Sequence, residues 1–277
     1  MTQLPLQQIF DRIGSRLDLA SHRAGKKNYA EKFSRELALL FASRLAQRYP
    51  GARITPHPDG KAQEFKIGGE IDAKKTDVAV WDDRAGLVVG VSIKTITARD
   101  AKTNRYTKNV VRNDMELRDE ADKLHRRQPY AFLVALIFLP EDSSWDSRNA
   151  AGGSSFAHAV FTFRKRTGRT GPDAARFDLF EQVYIGLFGD DGSVGFFDVE
   201  DAPRRNQPPA EMLDIEALVE RISIGARQRH VGHLDDRFAE NDPCWKRPTG
   251  EVTLLIASAD ELDEEPEDEQ AGSLPPS

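Results

Sequence analysis

The residues most suited to chemistry lie close together in the chain: Asp77, then a turn at residues 82–86, then the tripeptide Ser92-Ile93-Lys94. Side chains alternate across a strand, so Ser92 and Lys94 project from one face while Val91, Ile93 and Thr95 project from the other. Reflecting a hairpin about Arg84 sets Asp77 opposite residues 91 to 92. A carboxylate, a hydroxyl and an ammonium then meet from two adjacent strands, anchored by Val78, Val80, Val91 and Ile93. Phosphodiester hydrolysis needs a positioned water, charge neutralisation on the phosphate and help for the leaving alkoxide. Magnesium, which takes oxygen ligands and keeps part of its water shell, could use Asp77 as a first ligand. Lys94 beside it would orient or help deprotonate water and offset charge building on phosphorus. The bland alternative is a cross-strand ion pair, the ordinary fate of an Asp and a Lys on neighbouring strands.

The strands that must hold this group are read from β-branched runs at Thr76 to Trp81 and Leu87 to Ile96. Upstream, residues Leu6 to Leu19 and Tyr29 to Tyr49 have helical periodicity, with Ser21 to Asn28 read as a basic connector. Short extended pieces at Arg53 to Thr55 and Glu64 to Ile67 flank a Pro/Gly turn and read as a first hairpin. Downstream come a polar loop at Thr97 to Lys108, a helix over Asn109 to Arg126 stopped by Pro129, and a strand over Tyr130 to Leu139. A helix around Phe156 to Arg166, strands at Gln182 to Phe188 and Val194 to Val199, and a helix over Glu211 to Arg227 follow. The fold class expected is α/β, a mixed central sheet flanked by helices. The divisions expected are a helical extension (1–28), a core (29–200), a C-terminal helical region (201–258) and an acidic tail (259–277).

Asp77 followed by a β-turn and Ser92-x-Lys94 resembles the core of the PD-(D/E)XK nuclease superfamily over roughly residues 30 to 140. The resemblance implies a restriction-endonuclease-like core with C-terminal additions. It also implies a magnesium-dependent cut of double-stranded DNA, as in a type II restriction or phage-defence enzyme. A homodimer and a cognate DNA methyltransferase in the same system follow from that analogy. The acid that normally opens the tripeptide is replaced by Ser92. A subset of type II restriction enzymes is similar in this, and takes the missing carboxylate as Glu from the following helix. Alternatives within the resemblance are an inactive DNA-binding or accessory subunit and a DNA repair nuclease.

The helix after the loop offers that carboxylate. At 100° per residue, Val110, Leu117, Ala121 and Leu124 form an apolar stripe, while Asn109, Arg112, Asn113, Glu116, Glu120, Lys123 and Arg127 share an adjoining flank. Glu116 is the preferred ligand and Glu120 the second. Glu36, beside the Phe33/Leu37/Leu40 stripe, is a further metal candidate because an acid there is costly unless paired; Glu70 is a weaker one. Arg105, Lys108, Asn109, Arg112, Asn113 and Arg127 are the expected DNA contacts, against a default of solvated charge.

The charge balance permits such a partner. Net charge is −6, yet eight acids crowd into residues 260 to 269 and leave the remainder slightly basic, while residues 94 to 127 hold ten Lys or Arg against six acids. The longest apolar run, Ala131 to Leu139, is half of a membrane span, and a signal peptide is not evident, so a cytoplasmic protein is expected. One cysteine, Cys244, excludes a disulfide framework, and with His230 and His233 it makes an incomplete zinc set. The Phe156/Phe161/Phe163 and Phe196/Phe197 groups read as core, and no Gly-rich nucleotide loop occurs.

Overall fold

The structure, a computed structural model, describes residues 5–16, 23–58, 65–67, 74–82, 85–147, 153–172 and 174–230. Glu70, His233, Cys244 and the acidic block lie outside them. The helices are α1 (Gln7–Ile13), α2 (Arg23–Arg48), α3 (Val110–Arg127), α4 (Ser155–Phe163) and α5 (Ile215–Arg229). The strands are β1 (Arg53–Thr55), β2 (Phe65–Ile67), β3 (Lys74–Thr76), β4 (Val78–Asp82), β5 (Gly86–Thr95), β6 (Phe132–Pro140), β7 (Gln182–Phe188) and β8 (Val194–Asp198). Six strands form one mixed sheet in the order β1-β4-β5-β6-β7-β8, and β2 pairs with β3 in a separate two-stranded sheet. This is the expected α/β class.

The sheet centre is parallel. β5 pairs with β6 and β6 with β7 in parallel, whereas β1-β4, β4-β5 and β7-β8 are antiparallel. Parallel neighbours need a crossover, and a sheet so connected is covered on both faces. That explains why β6 reads FLVALIFLP without polar alternation and is buried throughout. Phe132, Val134, Leu136 and Phe138 face a core shared with α2 and α5. Ala131, Leu133, Ala135, Ile137 and Leu139 face the other, shared with α3 and α4.

Two expectations are corrected. β1 does not form a hairpin with β2 but adds to the sheet edge on β4, with Ile54 opposite Val80. The turn signal marks a chain reversal without choosing a partner, and pairing on β4 buries Ile54 with Val78 and Val80. Residues 23–28 are not a connector: α2 begins at Arg23. Lys26 and Lys27 are good helix formers, and Lys27 lies 3.6 Å from Glu31 one turn on. Leu6, Ile9 and Ile13 bring α1 into the same core as α2.

Phe138 organises the α2 face. Its ring lies 6.0 Å from Phe33, 6.3 Å from Phe41 and 5.8 Å from Phe196. Gly186, its register partner on β7, leaves room for it, since a Cβ there would sit 3.0 Å from the ring. Phe138→Ala removes a fully buried ring at this junction. It is expected to cost about 3–5 kcal/mol, measured by urea unfolding, with the urea dependence of the free energy unchanged.

Candidate functional site

β5 places Ser92 beside Ala135 and Lys94 beside Ile137 of β6, so both side chains lie on the face covered by α3 and α4. Val78 pairs with Val91, which sets Asp77 one step beyond the end of β4 on the same side. There Asp77 Oδ2 accepts the Ile93 N–H at 2.6 Å. The hairpin register expected from the turn therefore holds to within a residue, although a bulge between Val80 and Trp81 shifts it. Thr76 secures the junction by donating its hydroxyl to the Val91 carbonyl at 2.9 Å.

The helix α3 seats as its stripe requires: Val110, Leu117, Ala121 and Leu124 are buried. The adjoining flank divides. Glu120 and Asn113 turn inward and are 8% exposed, while Arg112 stays outside. Glu120 donates nothing and accepts the Lys94 ammonium at 2.7 Å on Oε1; its Oε2 is buried with no hydrogen bond among the described residues. Glu116 is 3.5 Å from Lys94 and accepts from Arg112 Nε at 2.7 Å. Glu120 thus lies closer to Lys94 than Glu116, the acid preferred on the helical wheel. The wheel fixes a residue's angle on the helix, but not which edge of the flank rests on the sheet.

Burial works to lower the Lys94 pKa and is outweighed by Glu120, Asp77 and Glu116, which leaves it above the ordinary lysine value. Lys94 is therefore a charged ammonium over the neutral range. It suits charge neutralisation and orientation, and it is a poor acceptor of a proton from water.

Glu36 is not brought to this group. It lies on α2, which packs against the opposite face of the sheet, and Arg12 holds its Oε2 at 2.7 Å. The cost of an acid near the core is met there by an arginine of α1. Asn113, expected to contact DNA, is buried. Lys108, Asn109, Arg112 and Arg127 are exposed, with Lys108 3.4 Å from Asp100. Arg105 is half-buried, and its Nη2 donates to the Gly153 carbonyl at 2.6 Å.

Sequence reasoning missed what fixes the loop after β5. Tyr106 is buried, and its hydroxyl meets Asp142 at 2.9 Å and accepts from Arg16 Nη1 at 3.0 Å. Arg99 donates to Asp142 at 2.6 Å and lies over the Tyr106 ring. Arg16 also donates through Nε to Asp190 at 2.7 Å. Arg99 and Tyr106 follow β5, Asp142 follows β6 and Asp190 follows β7, so the network ties together the C-terminal ends of the three parallel strands. A Tyr in a polar, basic stretch was the one signal available in the sequence.

Among the described residues, no group of three or more His, Cys, Asp or Glu is gathered closely enough to hold a metal ion by itself, and no helix is long and apolar enough to cross a membrane. No family model, curated protein or solved structure matches the chain.

Burial pushes the Glu116 carboxyl up, but Arg112 and Lys94 together hold it below the ordinary value of 4.5. Stability from these pairs is present above 4.5 and lost as pH falls through the lower folded value. Arg112→Ala should therefore raise the Glu116 pKa, followed by carboxyl NMR. The stability difference between the two proteins should be constant near neutrality and vanish on acidification.

Proposed function

We propose that the chain is a magnesium-dependent endonuclease acting on DNA, with Asp77, Lys94 and Glu120 as its working residues. The observation that carries this reading is the buried, unpartnered Oε2 of Glu120 beside Lys94, on the sheet face that also receives Asp77. A buried carboxylate oxygen without a partner is costly, and a bound cation would meet that cost. Magnesium needs only one or two protein carboxylates and fills its shell with water and substrate oxygens. Asp77 and Glu120 fit that requirement, and Glu120 takes the part left open by Ser92. Bound there, the ion would supply Lewis-acid neutralisation of the phosphate and a lowered pKa for its water.

The chain's own residues would do the remainder. Lys94 would turn from Glu120 toward the scissile phosphate and offset charge developing on its oxygens. The Ile93 N–H holds one Asp77 oxygen and so fixes the orientation of that carboxylate. Lys108, Asn109 and Arg112, at the exposed start of α3, would contact backbone phosphates, with Arg127 at its far end. With the separate β2-β3 pair set aside, the order α2-β1-β4-β5-α3-β6, with α3 as the crossover, is the arrangement a restriction-endonuclease-like core would have. A restriction or phage-defence role, a homodimer cutting both strands and a partner methyltransferase belong to this proposal.

One observation favours a second reading, a binding or accessory protein that does not cut. Lys94 is already neutralised by Glu120 and Glu116. An ammonium so paired can serve as a structural tie across sheet and helix.

Supercoiled plasmid incubated with the full chain and magnesium distinguishes the two. The first reading expects nicked and linear products, with Asp77→Asn, Lys94→Met and Glu120→Gln each slowing cleavage by about 10²-fold or more, while Glu36→Gln cuts normally. Binding without cleavage by the unaltered protein would establish the second. Normal cleavage by the Asp77→Asn/Lys94→Met double variant would overturn the assignment of the site.

A further inference from the structure

A second site opens where the loop after β5 meets α4. An open pocket of about 460 Å³ is lined by Arg105 and Thr107 on one side and by Gly153, Ala157, His158 and Phe161 on the other. Its volume falls in the range of small-molecule sites.

Phe161 is the first anomaly. Its neighbours Phe156 and Phe163 on α4 are fully buried, whereas Phe161 is 58% exposed. The group expected to be core therefore leaves one ring facing solvent at the pocket. Arg164 lies over it, 5.6 Å from the ring centre. A large apolar ring held beside a guanidinium is a surface on which another flat, delocalised group can stack.

The second anomaly is the charge. Arg105 Nε is buried and makes no hydrogen bond. The nearest carboxylate, Asp146, is 3.8 Å away, and its oxygens already accept from the Ser155 N–H at 2.7 Å and the Ser155 hydroxyl at 2.5 Å. His158 is held below the ordinary histidine value by burial and then by Arg105 and Lys165. The recess thus lies in the positive field of Arg105 and Lys165, with His158 kept neutral beside them. The Arg105 side chain is still 30% exposed at the pocket wall, and the planar fork of a guanidinium matches phosphate oxygens.

Together these features select a ligand class. A carboxylate would use Arg105 and leave Phe161 exposed; an apolar peptide would cover Phe161 and leave Arg105 unmatched. A phosphate joined to a planar base uses both, and the base must be unpaired for its face to reach the ring. Another open pocket, beside Met115 and Phe177, sets Asp119, Asp122 and Asp178 against Arg118 and Arg126, so its cations are already matched by acids.

We propose that the pocket between Arg105, His158 and Phe161 seats one unpaired nucleotide of a nucleic-acid strand, phosphate on Arg105 and base on Phe161. The inference rests on the proposed nuclease reading only for the identity of the strand as DNA.

The test uses the full chain in EDTA, so that cleavage plays no part, with a labelled oligodeoxythymidylate followed by fluorescence anisotropy. Phe161→Ala and Arg105→Gln should each weaken binding about tenfold, and Arg105→Gln should also flatten the salt dependence. Phe161→Tyr should bind as the original protein does, and unfolding midpoints confirm that Phe161→Ala is folded. In parallel, the His158 ring resonances should move with thymidine monophosphate and stay in place with thymidine or acetate. Unchanged affinity in both weakening variants would overturn the proposal, as would acetate moving His158 as far as the nucleotide does. Weakened binding in a protein that never cuts plasmid would keep the pocket and remove the nuclease. Cleavage with unaltered oligonucleotide binding in the variants would do the reverse.

Discussion

The parallel pairing of β5, β6 and β7 is the constraint on which the rest depends. Three strands running the same way cannot be joined by hairpins, so a helix must cross between each pair and cover a face. α3 lies between β5 and β6 in the chain, and α4 lies between β6 and β7. Their apolar stripes share one core with Leu133, Ala135 and Ile137. The same direction of travel delivers the loops after β5, β6 and β7 to one rim. Arg99, Tyr106, Asp142 and Asp190 meet there, and Arg16 closes the group from the segment after α1. The loop that carries Arg105 is held in place by this network.

A covered sheet raises the cost of any charge on it, and the chain meets that cost differently at two places. Near the start of β6, Glu181 accepts the Leu133 N–H at 2.7 Å and pairs with Arg169 at 3.0 Å and Arg229 at 2.9 Å. These groups are almost wholly enclosed, and their pairing fastens the end of α5 to the sheet. Lys94 stands further along β5 with a side chain 15% exposed, and of its two closest acids Glu116 remains open to solvent. Separating the members of a sealed ion cluster strands a buried charge and is costly. A pair nearer the solvent boundary exchanges partners at less cost.

Some of this was legible in the residues. The β4-β5 hairpin was readable because β-branched alternation and a short turn are local signals, and the Asp77–Lys94 proximity follows from that register. The stripe on α3 was readable because helical geometry fixes which residues share a face. The pairing of β1 with β4 was not readable, because strand partnership depends on which edge is free in the folded sheet. The pairing of Glu36 with Arg12 was equally out of reach, since its partner comes from a different helix 24 residues away.

By itself, then, the sequence determined the α/β class, the order of its elements apart from β3, the buried character of β6 and the nearness of an aspartate to a lysine on adjacent strands. Each of these is set by the period of apolar residues or by a turn of a few residues. Only the tertiary structure decided that Glu120 lies closer to Lys94 than Glu116 does, that Asn113 is buried and that Phe161 is left outside the core. Those outcomes depend on the rotation and depth at which each helix settles onto the sheet, which is a property of packed surfaces and leaves no periodic mark in the chain.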